Sequence, residues 1–445
     1  MRLLLIVLAA CSFLVPAGAD PLDREAARHL LSRTTLYYTT EQLDNVARCG
    51  VADYLERQLR PGVEASPYVS HLKHRRMAPK EIYLSLLDEP QATSIIEDEM
   101  LRGRLIHGLT SRYQLREVMT NFWFNHFNAD PDKSPVVACN VARLEDDIRT
   151  HALGRFEDLL RVAMKNPAVL DNLDNTVSTG ISVNENLGRE VMELYTTGPV
   201  HSQTDVVEMA RCLSGRSYDN DPESDTYLEF RYFPALHATG TKTVLGRQFG
   251  EHQQEEALNF LAHHPATAEY LSRKLVVRFV ADDPPQALVD RAAATFLRTD
   301  GDISEVLRTI LTSAEFYDSK YRKTKVKTST EYVVSALANS GLDDALLLDL
   351  AVNGPIGRQV VRLLSAMGSP YSCPNPLGWP DKSSVWTSGS GQRQRWYLAE
   401  LLSQRRNLPK LVLAEMSQDT KLALQASDGS VRHRNALFSP EFQAR

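Results

Sequence analysis

The sequence predicts a mainly α, multi-helical globular protein with one small β-hairpin insertion. Three observations predict it. Apolar residues recur three and four apart along most of the chain after Asp20, the spacing of helices that bury one face. One stretch, residues 226–246, alternates in strand fashion instead. With 445 residues, 43% hydrophobic and 24% charged, the chain can build a large core and is too apolar for disorder.

At the start, Met1-Arg2, the apolar run Leu3 to Val15 and Pro16-Ala17-Gly18-Ala19 have the three regions of a secretory signal peptide, residues 1–19, cleaved after Ala19. Leu8-Ala9-Ala10-Cys11 offers a lipoprotein signal as the alternative, with a short apolar run before the cysteine. Both imply a periplasmic or secreted protein. No later run approaches the roughly 20 apolar residues of a membrane span. Residues 20–110 read as an N-terminal helical segment, with helices Leu22 to Ser32, Thr40 to Leu59 and Pro79 to Leu87 broken at Arg60-Pro61-Gly62 and Glu89-Pro90. His71 and His74, ahead of Arg75-Arg76, read as an exposed charged turn.

Residues 111–320 read as a central helical core. Its first helix, Thr110 to Asn128, carries Leu115, Val118, Met119, Phe122, Trp123 and His126 as a buried stripe, with Asn121, Asn125 and Asn128 along the edge. A loop from Asp130 to Ala138 precedes helices Asn140 to His151, Phe156 to Lys165 and Pro167 to about Leu173. The stretch Asn184 to Gly198, NENLGREVMELYTTG, then places Leu187, Val191 and Leu194 on one helix face and Asn186, Arg189, Glu190 and Glu193 on the other, with Asn184 as N-cap. Helix Gln203 to Leu213 follows. Thr226 to Phe233 and Lys242 to Leu245 pair as the hairpin around Thr239-Gly240, with His237 just before the turn. Four more helices complete the core: Glu255 to His263, Ala266 to Val280, Pro285 to Thr299 and Ile303 to Thr312.

Residues 321–445 read as a C-terminal helical extension. It holds a basic run, Lys320 to Lys327, a helix Thr330 to Asn339, and a long Pro-rich loop, 368–390, with Tyr371, Trp379 and Trp386. A loop of that length is packed and functional or else disordered, and its aromatics favour packing. Helices Gln394 to Arg405 and Pro409 to Leu424 and a polar tail close the chain.

The net charge of −6, about −7 once Arg2 leaves with the leader, argues against nucleic acid as a partner. Beyond Cys11, Cys49, Cys139, Cys212 and Cys373 can form two disulfides in three pairings or remain buried thiols, and they are too dispersed for a zinc site. A nucleophile elbow, a P-loop, a Rossmann fingerprint, His-Glu-x-x-His and Cys-x-x-Cys are all absent. The polar face from Asn184 to Glu193 is therefore the candidate site, although ordinary solvated helix faces have the same character.

One family resemblance runs through nearly the whole mature chain. It is carried by Phe122-Trp123-Phe124-Asn125-His126-Phe127, His151-Ala152-Leu153-Gly154, Leu173-Asp174-Asn175, Asn184-Glu185-Asn186 with Arg189 to Leu194, Gln203 to Val206, His237, Gly240 to Gly246, His264 to Ala268, Arg273 to Pro285, and Gly378-Trp379-Pro380. In this order they resemble the bacterial exported proteins catalogued as domain of unknown function 1800. The resemblance implies a helical exported protein, often encoded beside sulfatase-like proteins, which would be its partners. It also implies that Asn125, His126, Asn184, Glu185, Asn186, Arg189, Glu190, Glu193, His237 and Lys242 are the constant polar positions. In that family a His often stands where this chain has Tyr195, and an Asp where it has Ala238.

Two readings follow. In one, the polar cluster is structural and the protein is a binding or scaffold protein of the cell envelope. In the other, it is a metal-assisted hydrolase: His126, Glu190, Glu193 and His237 hold a divalent metal, one carboxylate is general base, and Arg189 or Lys242 holds an anionic group. Tyr195 and Ala238, which replace plausible ligands, tilt the choice to the first.

Overall fold

The computed structural model describes residues 22–88, 92–373, 375–405, 410–414 and 416–445. The signal peptide expected over 1–19, the Glu89-Pro90 break, Pro374 and Pro409 lie outside them. Helices dominate, and one apolar core runs from Ala27 to Phe442. No helix among the described residues is long and apolar enough to cross a membrane.

Local chemistry accounts for most helix bounds. Helix α1 (Arg24–Thr34) starts where the Asp23 carboxylate accepts from the Glu25 and Ala26 amides, and α2 (Thr40–Leu59) opens on a Thr39/Gln42 capping box. Helix α3 (Ala92–Thr110) leads into α4 (Gln114–Phe127), which buries the expected Leu115, Val118, Met119, Phe122, Trp123 and His126. Helix α5 (Pro135–His151) begins earlier than expected, because Ser134 caps it and Pro135 sits where a missing N–H costs nothing. The charged turn expected at 71–76 is exposed at His71, Lys73 and Arg76, while His74 is buried with its amide bonded to Glu99 and the Arg75 side chain is turned inward.

The organising stretch is shorter and more irregular than a plain amphipathic helix. A single α turn, α6 (Asn186–Glu190), passes into a π-helical turn over Val191–Tyr195. The Thr196 and Thr197 hydroxyls donate to the carbonyls of Val191 and Met192, which satisfies groups that the wide turn frees. Gly188 lies against α7 (Gln203–Leu213), where a Cβ would come within 2.7 Å of the Ala210 nitrogen, so this crossing needs glycine.

The β structure differs from expectation in its pairing. Thr226 to Phe233 does not pair with Lys242 to Leu245. Instead β1 (Arg216–Tyr218) pairs antiparallel with β2 (Phe230–Tyr232), and β3 (Lys242–Val244) with β4 (Arg247–Phe249). The second is a tight hairpin through Leu245 and Gly246, both at positive φ. After it come α8 (Pro265–Phe279), α9 (Gln286–Arg298) and α10 (Ser329–Ala338), the last opened by a Thr328/Glu331 capping box. The Pro-rich loop then packs back across α4 and α8 before α11 (Gly389–Ser403). The expected polar tail is helical as well: α12 (Gly429–Phe438) and a short turn at Pro440–Gln443 bury His433, Leu437 and Phe442.

All four described cysteines are buried free thiols.

Candidate functional site

The polar residues singled out in the sequence go to four separate places. Asn184, Glu185, Asn186 and Arg189 form a latch at the start of α6. The Asn184 side chain accepts from the Asn186 amide at 2.9 Å; Arg189 lies 3.1 Å from Glu185; and Gln203 on α7 donates to Glu185 at 2.6 Å while accepting from Arg189 at 3.0 Å. These half-buried bonds tie α6 to α7 and leave no converging set for chemistry.

His237 and Lys242 form a second group, which closes the β3–β4 hairpin onto the turn before it. The His237 ring lies between the Ser214 carbonyl, 2.8 Å from Nδ1, and the Glu251 carbonyl, 2.6 Å from Nε2. Lys242 Nζ sits 3.0 Å from that Nε2 and donates to the Ala238 and Glu251 carbonyls. Burial pulls the Lys242 ammonium below its ordinary value, and three oxygen or nitrogen neighbours hold it in place. Neither residue reaches Glu190 or Glu193 through a hydrogen bond or ion pair.

Asn125 and His126 lie on α4. Asn125 grips the backbone of the Pro-rich loop with both halves of its amide: Nδ2 donates to the Trp379 carbonyl at 2.8 Å, and Oδ1 accepts from the Trp379 amide at 2.7 Å. Gly378 fits beneath at φ +68°, where a Cβ would strike the Asn125 carbonyl at 2.2 Å. His126 is buried among Trp123, Phe127, Phe156 and Tyr195. Its Nε2 lies 3.1 Å from the Tyr195 carbonyl and its Nδ1 2.8 Å from Lys274 Nζ. The tautomer that satisfies both carries the proton on Nε2 and accepts from Lys274. Burial first, and Lys274 second, hold the imidazole well below its usual pKa, so it is neutral. Both ring nitrogens are thereby spent on hydrogen bonds.

Glu190 and Glu193 are the fourth place, Glu190 just before the π-helical turn and Glu193 within it. No hydrogen bond or ion pair engages either carboxylate among the described residues. Burial and the neighbouring Glu193 raise the Glu190 carboxyl, and burial with the two carboxylates pushes the Tyr270 phenol up to about 12. Of the four expected metal ligands only Glu190 and Glu193 are neighbours, while His126 and His237 each spend both ring nitrogens on other partners. Among the described residues no group of three or more His, Cys, Asp or Glu side chains is placed to hold a metal ion.

The structure assembles instead a cavity of about 340 Å³ between α4, α8, the start of α10 and the Pro-rich loop. Phe122 and Val277 supply apolar walls, and Trp379 and Trp386, with ring centroids 6.0 Å apart, belong to the loop over it. Five cationic residues, Arg104, Arg273, Lys274, Arg278 and Lys382, line it against two carboxylates, Glu331 and Asp381. Those carboxylates are already neutralised, in part by Arg278 of the same lining. Glu331 accepts from Arg278 at 2.7 Å and Arg445 at 2.6 Å, and Asp381 lies 3.1 Å from Arg445 and 3.5 Å from Arg278. Burial pushes the Glu331 carboxyl up, but the two guanidinium groups outweigh it and hold it far below the carboxylate range. Arg104 is likewise matched to the buried Glu145, which the Tyr371 hydroxyl of the loop also contacts.

Lys274 makes no ion pair. Its hydrogen bond goes to neutral His126, no carboxylate lies within ion-pair distance, and burial pulls its ammonium down to about 8 against the opposing pull of the Asp381 carboxylate. Trp386, 7% exposed, also lines the cavity, with its indole N–H unpartnered. Arg273 is paired with Glu269, so it is Lys274, without an ion pair, that together with the apolar walls suits a ligand with an anionic oxygen and an apolar body.

Sequence reasoning named Asn121 and Asn125, which line this cavity, and His126, which contacts Lys274, but did not name Lys274 or Arg278 as site residues. The available signal was their spacing: Lys274 and Arg278 stand four apart among Leu271, Leu275 and Val276, so two cations border a buried stripe.

The fold and site define a mainly helical protein with a basic cavity under a tryptophan-bearing loop. The chain belongs to the family described as protein of unknown function DUF1800, whose model matches residues 29–444. No curated protein and no solved structure matches it.

Proposed function

We propose that the protein is an exported binding protein of the cell envelope, and that its ligand is an anion with an apolar body held in the cavity under the Pro-rich loop. The observation that carries this reading is the unpaired Lys274 facing a space where every carboxylate is already matched to a cation. Two of the polar residues named in the sequence serve that site: Asn125 secures the loop and His126 holds Lys274. Isothermal titration with 2-naphthoate and with its uncharged amide tests it. The carboxylate binds one to one, the amide binds at least about tenfold more weakly, and Lys274→Met removes the difference, since a charge-assisted hydrogen bond contributes roughly 1.5–3 kcal/mol. Equal binding of the two compounds, or binding of neither, would refute the reading.

A hydrolytic reading keeps one foothold, the carboxylate pair Glu190 and Glu193, which makes no ion pair and whose proton affinity is raised at Glu190 by burial and Glu193 against the opposing charge of Arg189. Elemental analysis of protein purified without chelator, beside a Glu190→Gln/Glu193→Gln variant, decides it: near-stoichiometric metal lost from a folded variant favours a metal-assisted hydrolase.

A further inference from the structure

Among the lysines of this chain Lys274 has an unusual setting. It lines an apolar-walled cavity rather than the outer surface, and it is held from one side by the Nδ1 of a neutral, buried imidazole at 2.8 Å. It lies 5.5 Å over the Tyr270 ring, and no carboxylate is within ion-pair distance to fix its charge. Lysines desolvated in apolar pockets are among those that act as amine nucleophiles, and burial is what acts on Lys274 here, opposed by the Asp381 carboxylate. The Trp379 and Trp386 rings line the same space and can pack against the apolar body of a carbonyl compound.

We propose that Lys274 is a reactive amine that forms a reversible imine with an aldehyde or 2-oxo acid bound in the cavity. This rests on the cavity being the ligand site. In the step, the lone pair of the neutral amine attacks the carbonyl carbon and a C–N bond forms. The carbonyl C–O bond then breaks, and the oxygen leaves as water with the two amine hydrogens. No oxidant, reductant or metal is required, and hydrolysis returns both partners.

The probe is 4-formylbenzoate, which carries an aldehyde, a carboxylate and an apolar ring, with cyanoborohydride to reduce the imine to a stable secondary amine. The full-length protein is treated at low probe excess, and the labelled residue is found by peptide mass mapping. The expected result is a single adduct, on Lys274, which is lost in Lys274→Arg and on unfolding before treatment. Label spread over exposed lysines, with Lys274 modified no faster than they are, overturns the proposal and needs no variant to be seen. If 2-naphthoate binds and Lys274 stays unlabelled, the imine fails while the anion-binding reading stands. If neither is observed, both fail.

Discussion

Replacing Asn125 with alanine should release the Pro-rich loop without unfolding the protein. The Asn125 amide makes two hydrogen bonds to one peptide unit pair, 2.8 Å to the Trp379 carbonyl and 2.7 Å from the Trp379 amide. Each contributes about 1 kcal/mol net at a half-buried position, so the loss is about 2 kcal/mol, which raises the open population of the loop roughly thirtyfold. Other anchors remain, including the Trp379 indole on the Ser369 carbonyl and Tyr371 on Glu145, which keeps the loss local. Limited proteolysis reads the open population directly when opening is fast relative to cleavage. The expected outcome is cleavage within 368–390 that is faster by that factor, with the thermal midpoint lowered by only a few degrees. Asn125→Asp, which keeps the acceptor and loses the donor, should fall between. Unchanged cleavage would refute the clamp, and cleavage accelerated equally at sites far from the loop would show that Asn125 supports the whole core instead.

Three further outcomes follow from the same geometry. Glu331→Gln strips the counter-charge from Arg278 and Arg445 and should destabilise the protein by about 3–5 kcal/mol in urea denaturation. Because the folded carboxyl of Glu331 lies far below its unfolded value near 4.5, its contribution is present above that pH and is lost as pH falls below it, so the gap between wild type and variant should narrow under acid. Binding of 2-naphthoate should be constant at neutral pH and weaken as pH rises through about 8, where Lys274 loses its charge; Lys274→Arg should abolish that dependence, and a wild-type profile flat to pH 9 would contradict the assignment. Cys49, Cys139, Cys212 and Cys373 should react with a thiol reagent only in denaturant, Cys139 and Cys212 being pushed up to about 12 by burial, and a mass unchanged by reductant would accompany this.

The helices were legible because their determinants are local. Phe156 to Lys165 begins and ends where its apolar spacing says, and Gln203 to Leu213 follows its Ser202 cap. The π-helical turn at Val191–Tyr195 was not legible, because its widened hydrogen bonding is held by Thr196 and Thr197 hydroxyls and by packing rather than by a distinct apolar period. Strand pairing failed for a related reason: Thr226 to Phe233 has the alternation of a strand, but its partner Arg216–Tyr218 is chosen by the path of the chain around the acidic loop between them.

The candidate site divides along the same line. Asn125 and His126 were visible as polar residues on an apolar helix, and Trp379 and Trp386 as aromatics in an ordered loop. Glu185, Arg189, His237 and Lys242 were equally visible, yet they serve as latches, because a polar side chain does not announce its partner. By itself the sequence determined the fold class, most helix bounds and the polarity of each face, all of which depend on residues within a turn or two of each other. Only the tertiary structure decided that Lys274 meets His126 across 148 positions and that a loop 254 positions beyond Asn125 covers the cavity. Those contacts are set by how the helices pack, and no local pattern encodes which distant cations will end up with a counter-ion and which will be left to a ligand.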